Sequence, residues 1–253
     1  MKITIVTVCF NAKATIRDAL DSVRAQRGVD VEHIVVDGAS TDGTRELLAQ
    51  YAAENPSFRY ISEPDDGLYD AMNKGIAMAT GDAVGILNAD DLLETPGTVA
   101  AVAAAFEANP GAEAVYGDVR FVRDDLSTPV RYYSARGWRP WMHNWGYMPP
   151  HPSLYIRRAT FARLGLYKTD YRISADFELM TRYLCRNRVP AVYIPASIVK
   201  MRMGGCSTRS WRSNVLLNAE NVRANRENGY FSCFAMMLPK YFFKVWGFVF
   251  KHG

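Results

Sequence analysis

The chain has 253 residues, 49% hydrophobic and 22% charged, the balance of a globular protein with a sizeable core, arranged as one domain or one domain with a tail. Its formal charge of +4 is too weak to argue for nucleic acid, and no window reaches the ~18 apolar residues of a membrane span. Cys9, Cys185, Cys206 and Cys233 form no CxxC and sit at no metal-ligand spacing, which fits reduced core thiols in the cytoplasm rather than a zinc site or disulfide frame.

KITIVTV reads as a buried first strand and not as a signal peptide, because a polar Asn and an amphipathic stretch follow it. In ATIRDALDSVRAQ, Ile16, Leu20 and Val23 recur at helical spacing. VEHIVVD is a second strand, and in GASTDGTRELLAQYA the segment Ser40 to Asp42 supplies turn and N-cap chemistry before a helix. FRYIS is a short third strand. DDGLYDAMNKGIAMA sets Leu68, Met72, Ile76 and Ala79 on one helical face, and DAVGIL is a fourth strand. TPGTVAAVAAAFEAN is a helix that ends in NPG, and AEAVYGDV is a fifth strand.

Strands alternating with helices at this spacing predict βαβ units and a Rossmann-like, parallel α/β sheet. Such sheets bind ligands at the carboxyl ends of their strands, where Asn11, Asp37, Asp65, Asp66, Asn88, Asp90 and Asp91 all fall. Beyond a boundary between Tyr116 and Arg131 the pattern loosens. RYYSARGWRPWMHNWGYMPPHPSLYIRR is dense in Trp, Tyr, Pro and Arg, ATFARLGLY and SADFELMTRYLCR read as helices, and VPAVYIPASIVKMRMGG reads as one or two strands.

The loop after the first strand, CFNAKATI, lacks the glycines that bring backbone against a pyrophosphate, and no Lys follows GASTDGT as a P-loop requires. Dinucleotide and P-loop chemistry are disfavoured. In GILNADDLLE an apolar strand runs into an amide and two adjacent carboxylates, which repel unless positive charge lies between them. Hard oxygen ligands at a strand end suit Mg²⁺ or Mn²⁺ held jointly with substrate phosphates. The plainer alternative is that Asp90 and Asp91 solvate a turn or cap the helix that opens near Thr95.

Taken together, TIVTVCFNAKATIRDALDSVRAQ, IVVDGASTDGT, DDGLYDAMNKGIAMATGDAVGILNADD, HPSLYIRR and ISADFELMTRY resemble the family 2 inverting glycosyltransferases of the GT-A fold, over about the first 200 residues. Within that family the chain is most similar to enzymes of exopolysaccharide and O-antigen assembly. The resemblance implies a mostly parallel, Rossmann-like GT-A sheet flanked by helices. It divides the chain into a nucleotide-sugar half (1–118), a less regular acceptor half (119–206) and a C-terminal helical tail (207–253). It also implies a nucleoside-diphosphate sugar donor, UDP above others, Mn²⁺ or Mg²⁺ as cofactor, and a glycan or polyprenyl-linked glycan as acceptor.

By the same resemblance Thr7, Asn11, Asp37, Asp66, Asn73, Asn88 and Asp90 line the donor, with Asp37 and Asp66 beside its nucleoside. Asp90 with Asp91 holds the metal, and Asn88 stands where the family's motif carries a first aspartate, leaving one charge fewer. Asp176 is the catalytic base that takes the acceptor's proton, with Glu178 as the second choice. His151, fixed between prolines, and Arg202 border the acceptor and diphosphate. Trp138, Trp141, Trp145 and Tyr147 read equally as a stacking platform or as core.

In the tail, TRSWRSNVLLNAENVRANRENG reads as a basic helix. Residues 230–251 are apolar, aromatic and punctuated by Lys, a composition for peripheral contact with the inner face of an anionic membrane. Packing on its own domain or on a second subunit of a homodimer is the alternative. The competing functions are a sugar-nucleotide nucleotidyltransferase, for which CFNAKAT offers only Lys13 to a triphosphate, and a non-catalytic sugar-nucleotide-binding module, against which the joint presence of Asp37, Asp90, Asp91 and Asp176 argues.

Overall fold

The computed structural model describes residues 1–55, 58–203 and 211–240. Strands β1 (Lys2–Cys9), β2 (Asp30–Asp37), β3 (Arg59–Ser62) and β4 (Ala83–Asn88) alternate with helices α1 (Ile16–Arg24), α2 (Thr44–Glu54) and α3 (Leu68–Met78). β1 and β4 are buried along almost their whole length, because helices cover both faces of a parallel sheet, and this is why they are continuous apolar runs. A two-residue strand β5 (Leu92–Leu93), helix α4 (Thr98–Ala108) and strands β6 (Ala114–Val122) and β7 (Pro129–Tyr133) follow. The chain then forms β8 (Tyr155–Arg157), α5 (Arg158–Leu164), α6 (Ala175–Met180), β9 (Ala191–Arg202) and α7 (Trp211–Glu227).

Among the described residues one sheet runs in the order β3-β2-β1-β4-β8-β6-β9-β5, with β7 paired to β6. Its three longest pairings, β1–β2, β6–β9 and β1–β4, are parallel. The run AEAVYGDV, expected as the fifth strand, does not lie beside β4, because β8 is inserted between them antiparallel to both. Gly85 makes this insertion possible: a Cβ there would lie 2.4 Å from the Tyr155 ring of β8, its register partner. The sheet changes direction of winding between β1 and β4, so a crevice opens at their carboxyl ends.

Leu68, assigned by helical spacing to the buried face of α3, is 50% exposed. It is the first residue of the helix, and the inward position goes to Tyr69. α6 widens without a break into a π-helical turn over Thr181–Arg186, a geometry that recurs at functional sites. α7 packs on its own domain: Glu227 meets Lys168 and Tyr171 (2.8 and 2.9 Å). The segment after it docks against the 140–146 turn, where the Ser232 hydroxyl donates to the Asn144 carbonyl (3.1 Å). Residues 241–253, which hold most of the tail expected at a membrane, lie outside the described residues. No helix among those described is long and apolar enough to cross a membrane.

Candidate active site

The loops after β1 and β2 are knitted together before any ligand arrives. Asp37, at the end of β2, is completely buried, and its carboxylate accepts from the Ser40 N–H (3.1 Å), the Ser62 hydroxyl (2.6 Å) and the Ser40 hydroxyl. The Ser40 oxygen in turn accepts the Asn11 N–H (2.7 Å), while the Asn11 side chain accepts the Thr41 N–H (2.9 Å). Asn11 adopts a left-handed backbone, φ 51°, a conformation Asn tolerates better than most residues. Thr7 is buried within β1 and its hydroxyl is bonded to His33 Nε2 (3.0 Å).

Asp66 is exposed at the mouth of this crevice. Its neighbour Asp65 turns inward and leans over Gly38, where a Cβ would come within 2.4 Å of Asp65 Oδ2. Sequence reading chose Asp66 of this pair. The approach permitted by Gly38 is the signal that singles out Asp65, and only the fold reveals it. Phe10, two-thirds exposed, stands beside the same glycine.

At the end of β4 the chain makes a tight turn, the Asp91 N–H donating to the Asn88 carbonyl (3.1 Å). Asp91 swings under the turn and is 2% exposed, so it is Asp91 that meets Asn88, whose Nδ2 donates to Asp91 Oδ2 (3.2 Å), while Asp90 stays half-buried. Burial first, and the Asp90 charge second, push the Asp91 carboxyl up to about 8. Asn88 Oδ1 is buried with no hydrogen-bond partner.

A buried oxygen lacking a donor and a carboxyl reluctant to ionise are both short of positive charge. As hard oxygen donors they fit Mg²⁺ or Mn²⁺. No cluster of three or more acidic, His or Cys side chains assembles among the described residues, so further ligands would have to come from the donor's phosphates.

Arg202, at the end of β9, grips this turn from outside. Its Nε donates to the Asp90 carbonyl (3.1 Å) and its Nη1 to the Asp124 carbonyl (3.3 Å), and it pairs with the Asp18 carboxylate. β5 adds a second clamp, Leu92 and Leu93 pairing with Lys200 and Val199 of β9. Residues 204–210, which follow Arg202, lie outside the described residues.

A second polar cluster is assembled around Asp176. Its carboxylate accepts the Phe177 N–H (2.8 Å) and, at 3.4 Å, the Tyr69 hydroxyl of α3. Burial raises its pKa, opposed by His151. His151 is itself buried, and burial lowers its pKa. Its Nε2 shares a 2.7 Å hydrogen bond with the Tyr167 hydroxyl, and the Tyr167 ring stacks on Tyr69 with centroids 5.9 Å apart. Asn73 holds the Tyr167 backbone with both ends of its amide, donating to the carbonyl (2.9 Å) and accepting from the N–H (3.0 Å).

Glu178 is fully buried in ion pairs with Arg182 (3.0 Å) and Lys168 (3.3 Å) and accepts from Asn228 (3.3 Å). Glu220 of α7 accepts three consecutive backbone N–H groups, those of Arg172, Ile173 and Ser174 (2.8, 2.9 and 2.9 Å), and so fixes the loop that leads into Asp176. Nothing local in the sequence marks Tyr69, Tyr167 or Glu220, whose partners are all far along the chain. Of the Trp cluster, Trp138 belongs to the core, whereas Trp141 and Trp145 are exposed.

Residues 4–162, well over half of the chain, match the family described as Glycosyl transferase family 2. The chain belongs to that family. This glycosyltransferase is 34% identical over 193 residues to the Mycobacterium tuberculosis protein named PGL/p-HBAD biosynthesis glycosyltransferase, covering 72% of this chain and 73% of the relative. It is 32% identical over 185 residues to an uncharacterized glycosyltransferase of the same species, covering 71% and 68%.

Its fold matches the mannosyltransferase PcManGT from Pyrobaculum calidifontis, solved in complex with GDP-Man and Mn²⁺, with a TM-score of 0.65 at 22% identity, covering 87% of this chain and 64% of that one. It also matches S. aureus TarS 1–349 in complex with UDP-GlcNAc, with a TM-score of 0.64 at 17% identity, covering 89% and 68%. At such identities the likeness concerns the fold, which is that of the GT-A glycosyltransferases.

Proposed function

We propose that this glycosyltransferase moves a monosaccharide from a nucleoside-diphosphate sugar, UDP-linked, to a hydroxyl of a glycan or lipid-linked glycan, with inversion and with Mn²⁺ or Mg²⁺ bound. The observation that carries the reading is the pairing, in one GT-A fold, of the partly buried Asp176, held by Phe177 and Tyr69, with the unpaired Asn88 Oδ1 and buried Asp91 at the end of β4. The nucleotide-sugar complexes of PcManGT and TarS support the donor class.

In this reading the ordered loops around Asp37 and Asn11 receive the nucleoside, with Asp65 and Asp66 at its edge. Asn88, Asp90 and Asp91 hold the divalent cation, which stabilises charge on the departing diphosphate. Asp176 accepts the proton of the acceptor hydroxyl as that oxygen forms its bond to the anomeric carbon and the bond to the diphosphate breaks. Its raised pKa makes it a stronger base than an exposed aspartate, and it works only while ionised. His151, whose own pKa burial lowers, opposes part of that rise. Thr7, Asn73 and Glu178, whose polar groups are all bonded within the fold, position the site.

The test is a donor screen that follows sugar transfer and release of UDP or GDP, with and without Mn²⁺. Transfer that depends on the cation and disappears in Asp176→Asn is the expected result. Transfer at the wild-type rate in that variant overturns the assignment of the base.

A further inference from the structure

A groove of about 360 Å³ lies between the 133–148 segment and Pro239. Its lining is almost wholly apolar, with Trp138 at the base, Trp141 and Trp145 at the sides, and Met142, Met148 and Tyr133 between them. Trp141 and Trp145 remain 63% and 39% exposed, which is costly for a surface that touches only water. Through the core the groove's floor packs against the element that carries Asp176. The Trp138 ring meets His143 at 5.2 Å, His143 meets Phe177 at 4.9 Å, and Phe177 holds the Asp176 carboxylate. From Met148 the chain runs through two prolines directly to His151.

Charge identifies the occupant. The stretch that builds most of the wall, residues 133–148, contains no Asp or Glu and carries Arg136 and Arg139. Lys240 follows Pro239 and reaches the same wall, its Nζ 3.2 Å from where a Cβ on Gly146 would lie. Among the described residues, the one carboxylate bonded to this wall from behind, Asp118, is taken up by the Ala135 N–H (2.7 Å) and the Tyr132 hydroxyl (2.7 Å). An apolar slot flanked by these cations therefore complements an amphipathic molecule with a hydrocarbon stem and an anionic head. The volume is at the lower end of what ligand pockets offer, enough for part of a stem with the rest left outside.

We propose that this groove binds the isoprenoid or acyl stem of a lipid-phosphate-linked acceptor and so delivers its hydroxyl to Asp176. That the bound lipid is an acceptor rests on the transferase reading; that the groove binds a lipid phosphate does not.

Calorimetry with farnesyl phosphate below its aggregation threshold tests the binding directly, with inorganic phosphate and phosphatidylglycerol vesicles as comparison probes. Saturable one-to-one binding of farnesyl phosphate is expected, weakened at least tenfold in the double variant Trp141→Ala/Trp145→Ala. The same loss is expected in Gly137→Leu, which fills the groove from a position where a Cβ meets nothing within 4 Å. Donor-nucleotide affinity and thermal midpoint should stay at wild-type values in both.

Equal affinity for inorganic phosphate, an unchanged affinity in both variants, or binding to vesicles without binding to monomeric farnesyl phosphate overturns the proposal, the last assigning this face to the membrane surface instead. One-to-one binding without sugar transfer to any lipid-linked acceptor would uphold the groove and overturn its role in delivering the acceptor, whereas absence of transfer to every acceptor would fail the transferase reading, so the two failures are distinct.

Discussion

At the proposed donor side, polar residues at the strand ends find partners close by in sequence: Asp37 is met by Ser40, and Asn88 by Asp91. Around Asp176 the partners come from elsewhere. Tyr69 reaches it from a helix 107 residues earlier, and Glu220 secures the preceding loop from a helix 46 to 48 residues later. A turn that closes on itself can be built early and tolerates change in distant elements. A site joined from three distant segments needs each of them in place, and damage to any one should appear in the chemistry before it appears in donor binding.

The largest effect expected on the acceptor side is that of Asp176→Asn, which keeps the shape and removes the base. Transfer should fall by about 10³-fold while donor affinity measured by calorimetry is unchanged, and a parallel loss of donor affinity would erase the distinction between the two sides. The converse variant is Asp91→Asn. Nucleotide affinity should lose its dependence on Mn²⁺, with the Mn²⁺-bound Kd weakened by about 10–100-fold, as is typical when a metal site is disturbed.

Glu220→Ala tests whether the tail helix belongs to the acceptor side. Three N–H groups, that of Ser174 buried, lose a charged acceptor, so the fold should lose about 3 kcal/mol in a denaturant titration. Glu220→Asp should recover kcat in part without moving the KM for donor, a split that destabilisation alone would not give.

The smallest effect concerns pH. The Asp176 pKa is raised by burial, and the base must be ionised, so the acid limb of the kcat profile should lie above the ordinary carboxylate range, with activity rising as pH increases through it. Tyr69→Phe removes a hydrogen bond that favours the ionised form, so the limb should move to still higher pH, and only slightly for a bond as long as 3.4 Å. A shift to lower pH would show that Tyr69 does not donate to this carboxylate.

Much of the donor half was legible before any coordinates. Apolar runs and helical spacing located β1, β2, β4, α1 and α4, because each element buries a face set by its own residues. The strand-end acids were legible too, although which member of each pair turns inward was not. Asp65 and Asp91 differ from Asp66 and Asp90 by one position each, and burial beneath a turn makes that choice. Leu68 misled for the same reason, since spacing gives a face and not the point where packing begins.

The sequence by itself determined the alternation of strands and helices, the crevice at the strand ends, the family, and the type of chemistry its carboxylates can perform. Those properties follow from local periodicity and from residue type. The tertiary structure alone decided that β8 would part β4 from β6, that Glu178 would be consumed by ion pairs while Asp176 kept an open edge, and that Glu220 would brace the loop beside it. Each of those outcomes depends on long-range contacts, whose partners no spacing along the chain can specify.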